Sequence, residues 1–417
     1  MSILRTSISL REVGANVRLR TQLYVYPIKS LRPTTVTEGE LTPLGFRYDR
    51  CFMLLKVEPG ENGAEPTLKN MHVPDFPAMA LFQTNIEISE SKEVNSKVIV
   101  TYHPPTQGDL NQSRTPRDTR RLEIPLHPNE KQLKPLKITM HQSPTTGFDM
   151  GAEYNDWFSE CFGYRVVLAF LGPNTRGVLG TLAPAKRNKE RWWSVWRQEL
   201  TLPGNKLVDR WIQLICLASL FLNVVGWSLR RFQSGLPGPQ ALGLTSVVLG
   251  GLWAAVNWYA QRKHEARITF ADCAPYLVIS ETSVDNVSAR LAGDEEMDRT
   301  KFRPNIVVSG AERAFEEDFW AELAIGTTSK AQLLLTANCV RCQSLNVDFE
   351  TGKMGTGEAG SVLKKLMKDR RVDKGARFSP VFGRYSFLGK MAIGQKIRVG
   401  DEVEVVARAK EHSVIGE

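Results

Sequence analysis

Two uncharged apolar runs, Trp211–Leu229 and Ala241–Ala260, constrain the folding of this chain more than any other feature. As helices rising about 1.5 Å per residue, they span roughly 28 to 30 Å, the thickness of a bilayer core. The connector Arg230–Gln240 carries the Gly and Pro of a tight turn, so the pair is expected to form a transmembrane helical hairpin. Trp211, Trp227, Trp253, Trp258 and Tyr259 sit near the run ends, where an aromatic belt belongs. A hairpin buried in a soluble core is the alternative, but it does not explain the flanks. Segments Lys186–Arg210 and Gln261–Arg267 together hold ten Lys and Arg, whereas the connector holds two. The positive-inside rule then puts both flanks on the cytosolic or matrix face, with only the connector crossing. The membrane itself stays open between the mitochondrial outer membrane and the endoplasmic reticulum.

The formal charge of +9 raises the question of nucleic acid, and its distribution argues against it. Between Lys186 and Arg267 there are 12 Lys and Arg against 4 Asp and Glu, a local +8, which leaves +1 for everything else. Six cysteines in 417 residues are too few for a disulfide framework and read as reduced thiols in a non-secreted protein. The first twenty residues hold four Arg and one acid without a continuous apolar stretch, which excludes a secretory signal. They read first as a solvated end, with a mitochondrial import sequence as the weaker alternative.

Short alternating runs dominate before the hairpin: Leu23–Ile28, Val36–Leu41, Cys51–Val57, Val98–Tyr102, Leu122–Ile124 and Leu136–Met140. Turn residues separate them, so an antiparallel β unit is expected. Pro104–Arg120 reads as a loop, Glu153–Phe162 as an amphipathic helix and Tyr164–Leu171 as a strand. After the hairpin, Asn305–Ser309, Gln332–Thr336 and Ile397–Val406 read as strands, with helices at Ser283–Leu291 and Ser361–Lys368. The expected class is α+β and β-rich. Its parts are a terminus at 1–20, an N-terminal β domain at 21–171, an insertion with the hairpin at 172–267, and a second β-rich domain at 268–417.

Three segments could carry chemistry. Cys339 and Cys342 form a C-x-x-C, which by itself allows a redox dithiol, half a zinc site or two ordinary thiols. No second C-x-x-C or H-x-x-x-H-type pair supplies the four ligands of structural zinc. Arg341 directly precedes Cys342, and a neighbouring guanidinium favours the thiolate, the soft ligand for a metal. In Phe302–Gly310, Arg303 precedes a proline, so an extended backbone is expected, with Asn305 on the same face. That pair suits an anion; an ion pair of Arg303 with Glu316 or Glu317 is the plainer reading. Lys29, Ser30 and Arg50 stand at strand ends as a candidate phosphate clamp, or as an ordinary surface Lys and a paired Arg.

Taken together, YPIKS (26–30), GFRYDRCFML (45–54), FADCAPYLVIS (270–280), FRPNIVV (302–308), FEEDFWAELAIG (315–326), RCQSLNVDFETG (341–352), SPVFGRYSFL (379–388) and IRVGDEVEVV (397–406) resemble the MOSC family. The resemblance is to its mitochondrial amidoxime-reducing type, with an N-terminal MOSC-associated β domain ahead of a β-barrel-like MOSC domain. It covers the chain outside about 1–20 and 172–267. It implies a molybdenum cofactor, with the metal on Cys342 rather than Cys339. Lys29, Ser30 and Arg50 are then placed around the pterin and its phosphate, joined by Arg303, Asn305, Arg341 and Tyr385. A family-level association with pyridoxal phosphate binding also comes with it.

The implied activity is oxygen-atom removal from N-hydroxylated substrates such as amidoximes and hydroxylamines. No nicotinamide-binding G-x-G-x-x-G, haem C-x-x-C-H or cluster-type cysteine run is evident, so electrons must come from a partner. The family precedent is cytochrome b5 with its NADH-dependent reductase. A cofactor or sulfur carrier without turnover is the rival function, and a membrane adaptor on a decayed scaffold is another. Two departures stand out: Cys273 and Ala274 replace hydroxyl residues usual in the family, and Val340 replaces a small polar one.

Overall fold

Apolar runs become strands through most of the chain, some with one face buried, as in Phe82–Glu87, and others with both, as in Tyr276–Ser280. The computed structural model describes residues 20–60, 65–89, 93–105, 119–180, 182–184, 266–293, 295–327, 329–389 and 392–415. The runs expected to form the hairpin, the first nineteen residues and most of the loop expected at 104–120 lie outside them. Among the described residues no helix is long and apolar enough to cross a membrane.

The larger of the sheets has eight strands, in the order Thr34–Val36, Arg20–Val25, Ile306–Ser309, Tyr276–Ser280, Val381–Leu388, Ala331–Val340, Trp320–Ile325 and Val403–Arg408. All its pairings are antiparallel except Tyr276–Ser280 with Ile306–Ser309, where Val278 lies opposite Ile306. A parallel pair needs a crossover, and the helix Glu281–Ser288 lies within it. Residues 20–36 thus belong to the same sheet as strands from the C-terminal half. The N-terminal half also builds a five-stranded sheet, in the order Lys134–Met140, Ser143–Asp149, Val166–Phe170, Phe52–Glu58 and Thr67–Asn70, and the three-stranded Phe82–Glu87, Lys97–Tyr102 and Arg120–Pro125, while Glu38–Thr42 pairs with Gly45–Phe46 and Lys396–Arg398.

The helix Ala152–Phe162 ends at Gly163, whose φ of 77° provides the left-handed cap. It buries Phe158 in a cluster with Phe52, Phe82, Leu54 and Leu168. Two further cores line the long sheet. One is built on Leu23, Tyr276, Ile306 and Trp320, and the other on Tyr26, Phe302, Cys339 and Phe382. In the second, Phe302 and Phe382 stack with ring centroids 3.7 Å apart.

Glu317 is fully buried, accepting from the Ser283 hydroxyl at 2.7 Å and the Ser280 amide at 3.3 Å. Burial, against the Ser283 bond and with help from Asp318, pushes its carboxyl up to about 7. A carboxyl raised in the folded state stabilises at low pH, and that contribution is lost as pH rises from its unfolded value of about 4.3 through 7. Glu317→Gln is therefore expected to gain in melting temperature relative to the parent between pH 5 and pH 8. Thermal melts at both pH values check this, and a pH-independent difference would refute it.

Candidate functional site

The anion-binding candidates converge because two segments adjoining the long sheet meet one that enters the five-stranded sheet. Tyr26–Ser30 follows the strand Arg20–Val25, Asp49–Arg50 precedes Phe52–Glu58, and Arg303–Asn305 precedes Ile306–Ser309. Asn305 joins them. It is fully buried; its side-chain carbonyl accepts from Arg50 Nη1 (3.0 Å) and Leu277 N (3.2 Å), while its amide donates to Tyr24 O (3.3 Å) and Asp49 Oδ1 (3.1 Å). Asn305→Leu would orphan several buried groups at once, each at about 1–3 kcal/mol. Denaturant unfolding should show a loss of at least about 3 kcal/mol.

Arg50 pairs with Asp49 through Nη1, and Lys29 pairs with Asp272 through Nζ. Burial pulls the Lys29 ammonium below its ordinary value, against Asp272, while Arg303 and Arg50 add repulsion. Among the described residues the guanidinium of Arg303 donates to Leu31 O, at 3.0 Å. Burial lowers it to about 10, so it remains charged at neutral pH.

The backbone here is held in an uncommon conformation. Ser30, Arg50 and Arg303 have φ of 69°, 53° and 57°. Left-handed non-glycine residues are strained and collect at functional sites. For Arg303 this corrects the extended backbone expected before proline. Residues Arg299–Phe302 form a 3-10 turn, and Arg303 is its left-handed cap, with its amide on Thr300 O. The expected ion pairs with Glu316 and Glu317 are also absent: Glu316 pairs with Arg408, and Glu317 binds serines.

Arg341 interacts with both cysteines: burial opposes its charge, and Cys339 and then Cys342 favour it. Its Nη1 donates to Cys339 Sγ at 2.9 Å and its Nη2 to Phe302 O at 2.8 Å, with the guanidinium also over the Phe302 ring. Arg341 thus fastens the strand Ala331–Val340 to the turn that presents Arg303. The Tyr385 hydroxyl is hydrogen-bonded to Cys339 and Cys273, and burial together with those thiols raises it well above the usual phenol range. Burial pushes the Cys273 thiol up to about 11, so it enters as a neutral partner of Tyr385 in place of a family hydroxyl. Cys342 is exposed, with its sulfur 3.3 Å from Ser344 Oγ. The two cysteines of the C-x-x-C therefore have opposite environments, one buried and clamped, one open.

Several residues at the site escaped sequence reasoning. Asp49 stood inside a quoted motif without a role, and it is the buried counter-charge of Arg50. Asp272 takes Lys29 and, at 3.2 Å, His141 Nε2. Burial opposes its ionisation, yet Lys29 and His141 hold its carboxyl well below the ordinary range. His141 and Gln142 both have positive φ at the turn between Lys134–Met140 and Ser143–Asp149, which sets the imidazole against Asp272. Arg176 lay in the stretch read as insertion. Fully buried, it donates to Thr269 O, Met140 O and Ala271 O, bracing the loop that carries Asp272.

The residues present fit a phosphate-bearing cofactor. Arg50 and Lys29 have carboxylate partners, but Arg303 has none among the described residues, and its Nη2 is buried without an acceptor. An anion supplies what that nitrogen lacks. An exposed thiol at the end of the adjoining strand adds a soft metal ligand. Among the described residues no cluster of three His, Cys, Asp or Glu side chains could hold a metal unaided, so a metal here would depend on ligands from the cofactor.

Cationic side chains gathered on one set of loops, with an exposed thiol among the described residues, are the chemistry an anionic cofactor would use, and the sequence matches give the family. Residues 18–165 match the MOSC N-terminal beta barrel domain and residues 265–404 the MOSC domain. The chain belongs to the MOSC family, with both of its domains. It is 39% identical over 137 residues to mitochondrial amidoxime reducing component 2 of Rattus norvegicus, covering 33% of this chain and 38% of that protein. Against mitochondrial amidoxime-reducing component 1 of Homo sapiens it is 34% identical over 146 residues, 34% of this chain and 40% of the relative. The match thus spans about two fifths of each relative's length.

Proposed function

We propose that the chain is a molybdenum-cofactor reductase of N-hydroxylated compounds, amidoximes and hydroxylamines among them. The observation that carries this reading is the pairing of an open Cys342 with the cationic cluster of Lys29, Arg50 and Arg303. When bound, the cofactor supplies a two-electron centre that accepts an oxygen atom. The chain's own groups do the rest. Cys342 holds the metal through sulfur, Lys29, Ser30, Arg50 and Arg303 hold the phosphate-bearing end, and Asn305 keeps Arg50 in place. Arg341 and Tyr385 act from behind, the first fixing the turn that presents Arg303, the second holding Cys339 and Cys273 together. The carboxylates of Asp49 and Asp272 limit the repulsion among these cations before an anion arrives.

Electrons come from a haem-protein partner of the cytochrome b5 class and its NADH-dependent reductase, since the sequence offers no evident nicotinamide, haem or cluster motif. The hairpin read at 211–229 and 241–260 anchors the protein, with its β domains on the cytosolic or matrix face. Confinement to one surface raises the effective concentration of a membrane-bound donor.

Molybdenum and pterin analysis of detergent-purified full-length protein, combined with benzamidoxime reduction, tests the reading. Stoichiometric molybdenum with turnover is expected. Stoichiometric metal without turnover would replace the reductase by a cofactor carrier, and absence of both metal and pterin would end the assignment.

A further inference from the structure

Tyr26 has no role in the scheme above, yet it occupies the centre of the cationic cluster. It is fully buried, and its backbone is fixed on both sides by one dipeptide: its amide donates to Asp49 Oδ1 at 2.8 Å, and its carbonyl accepts from Arg50 N at 2.6 Å. The guanidinium carbons of Arg50 and Arg303 lie 4.8 Å and 4.5 Å from its ring centroid. Both contacts fall within cation–π range and hold the two arginines to a common slab. The hydroxyl, however, is buried with no hydrogen-bond partner among the described residues.

An unpartnered buried hydroxyl is destabilising, whereas phenylalanine would keep the ring contacts without that cost. The nearest charge is also the unbalanced one, because Asp49 answers Arg50 and Asp272 answers Lys29, while Arg303 has no carboxylate among the described residues. Arg303 Nη2, another donor without an acceptor, belongs to the guanidinium beside the same ring. Two buried donors with nothing to donate to, beside an uncompensated positive charge, describe a place for anionic oxygen.

We infer that the Tyr26 hydroxyl is a direct ligand of the bound anion, donating together with Arg303 Nη2 to the oxygens of a phosphate monoester. This deepens the proposed cofactor site and rests on that reading only for the identity of the ester. Burial raises the phenol above its usual range, so it stays a donor throughout neutral and mildly alkaline pH.

Tyr26→Phe in the full-length chain separates a ligand from a packing residue. The ligand-free protein should melt at or above the parent temperature, since only an unmatched polar group is lost. Inorganic phosphate should then bind about tenfold more weakly, the loss of one hydrogen bond worth about 1.4 kcal/mol, and less pterin should survive purification. Tyr24→Phe is the control, because the Tyr24 hydroxyl already has Gln22 Oε1 at 3.4 Å; it should leave phosphate binding unchanged. Equal phosphate affinity and pterin content in Tyr26→Phe and parent would overturn the inference.

Should Tyr26→Phe fail to fold, 3-fluorotyrosine at position 26 serves instead. Its fluorine resonance should move on addition of phosphate, and an unmoved resonance would overturn the inference. Parent protein that carries no pterin but still binds phosphate through Tyr26 would sink the molybdenum reading alone.

Discussion

Cys342→Ala is expected to abolish N-hydroxyl reduction and molybdenum retention while leaving the melting temperature of the cofactor-free protein within about 1 °C of the cofactor-free parent, as surface substitutions usually do. The sulfur is exposed and has one polar neighbour, Ser344 Oγ at 3.3 Å, so its removal deletes almost no packing. Loss of turnover should exceed the 10–100-fold typical of groups that merely support a metal ligand. Cys339→Ala is expected to behave in the opposite way. That sulfur is buried in a core with Phe302 and Phe382 and accepts from Arg341 Nη1. Its loss frees one donor of the guanidinium that ties the strand to Phe302 O, so stability should fall while turnover persists in part. Paired melts, metal analysis and benzamidoxime assays on both variants decide the matter. Equal loss of turnover from both, with metal retained in both, would indicate dithiol chemistry and remove Cys342 from its role as sole sulfur ligand.

How far the sequence disclosed this arrangement depended on the range of the interactions involved. Apolar runs marked the strands Phe52–Glu58, Lys97–Tyr102 and Val166–Phe170, whose buried residues are close in sequence, and the helix Ala152–Phe162 followed from apolar spacing. The sheet order is not local. Nothing in residues 20–36 announces that they pair beside Ile306–Ser309, almost 300 positions away. Arg303 was legible as an anion ligand from its motif, but its left-handed backbone was not. The pre-proline preference for extended backbone is a local rule, overridden here by the capping of the turn Arg299–Phe302 and by contacts with Leu31 and Tyr26. Adjacency in sequence suggested Arg341 beside Cys342, and the guanidinium does interact with that residue, but its hydrogen bond to Cys339 was not legible from adjacency alone. Arg176 gave no signal at all, because a buried arginine that binds only carbonyls has no sequence partner to pair with.

The largest effect on stability is expected at Asp49, where charge and packing meet. Its side chain is fully buried, takes Arg50 Nη1 on one oxygen, and on the other accepts from Tyr26 N and Asn305 Nδ2. Burial pushes its carboxyl above the usual range, and Arg50 with the three hydrogen bonds pulls it back only in part. The pair is therefore no simple source of stability, since desolvation offsets much of its attraction. Breaking it is another matter. Asp49→Ala strands a buried guanidinium and two buried donors, and a cost of about 3–5 kcal/mol is expected. Removing the stranded charge as well, in Asp49→Ala with Arg50→Met, should recover part of that loss, since an apolar side chain tolerates the site that an unpaired cation does not. The double variant should nevertheless fail to bind phosphate or retain pterin, because Arg50 is one of the cations facing the anion and one of the two that clasp Tyr26. Chemical denaturation of the parent, both single variants and the double variant, read against phosphate binding by each, closes the cycle. If the double variant were no more stable than Asp49→Ala, the buried charge would not be the source of the damage. If it bound phosphate as the parent does, the cationic cluster would not be the anion site.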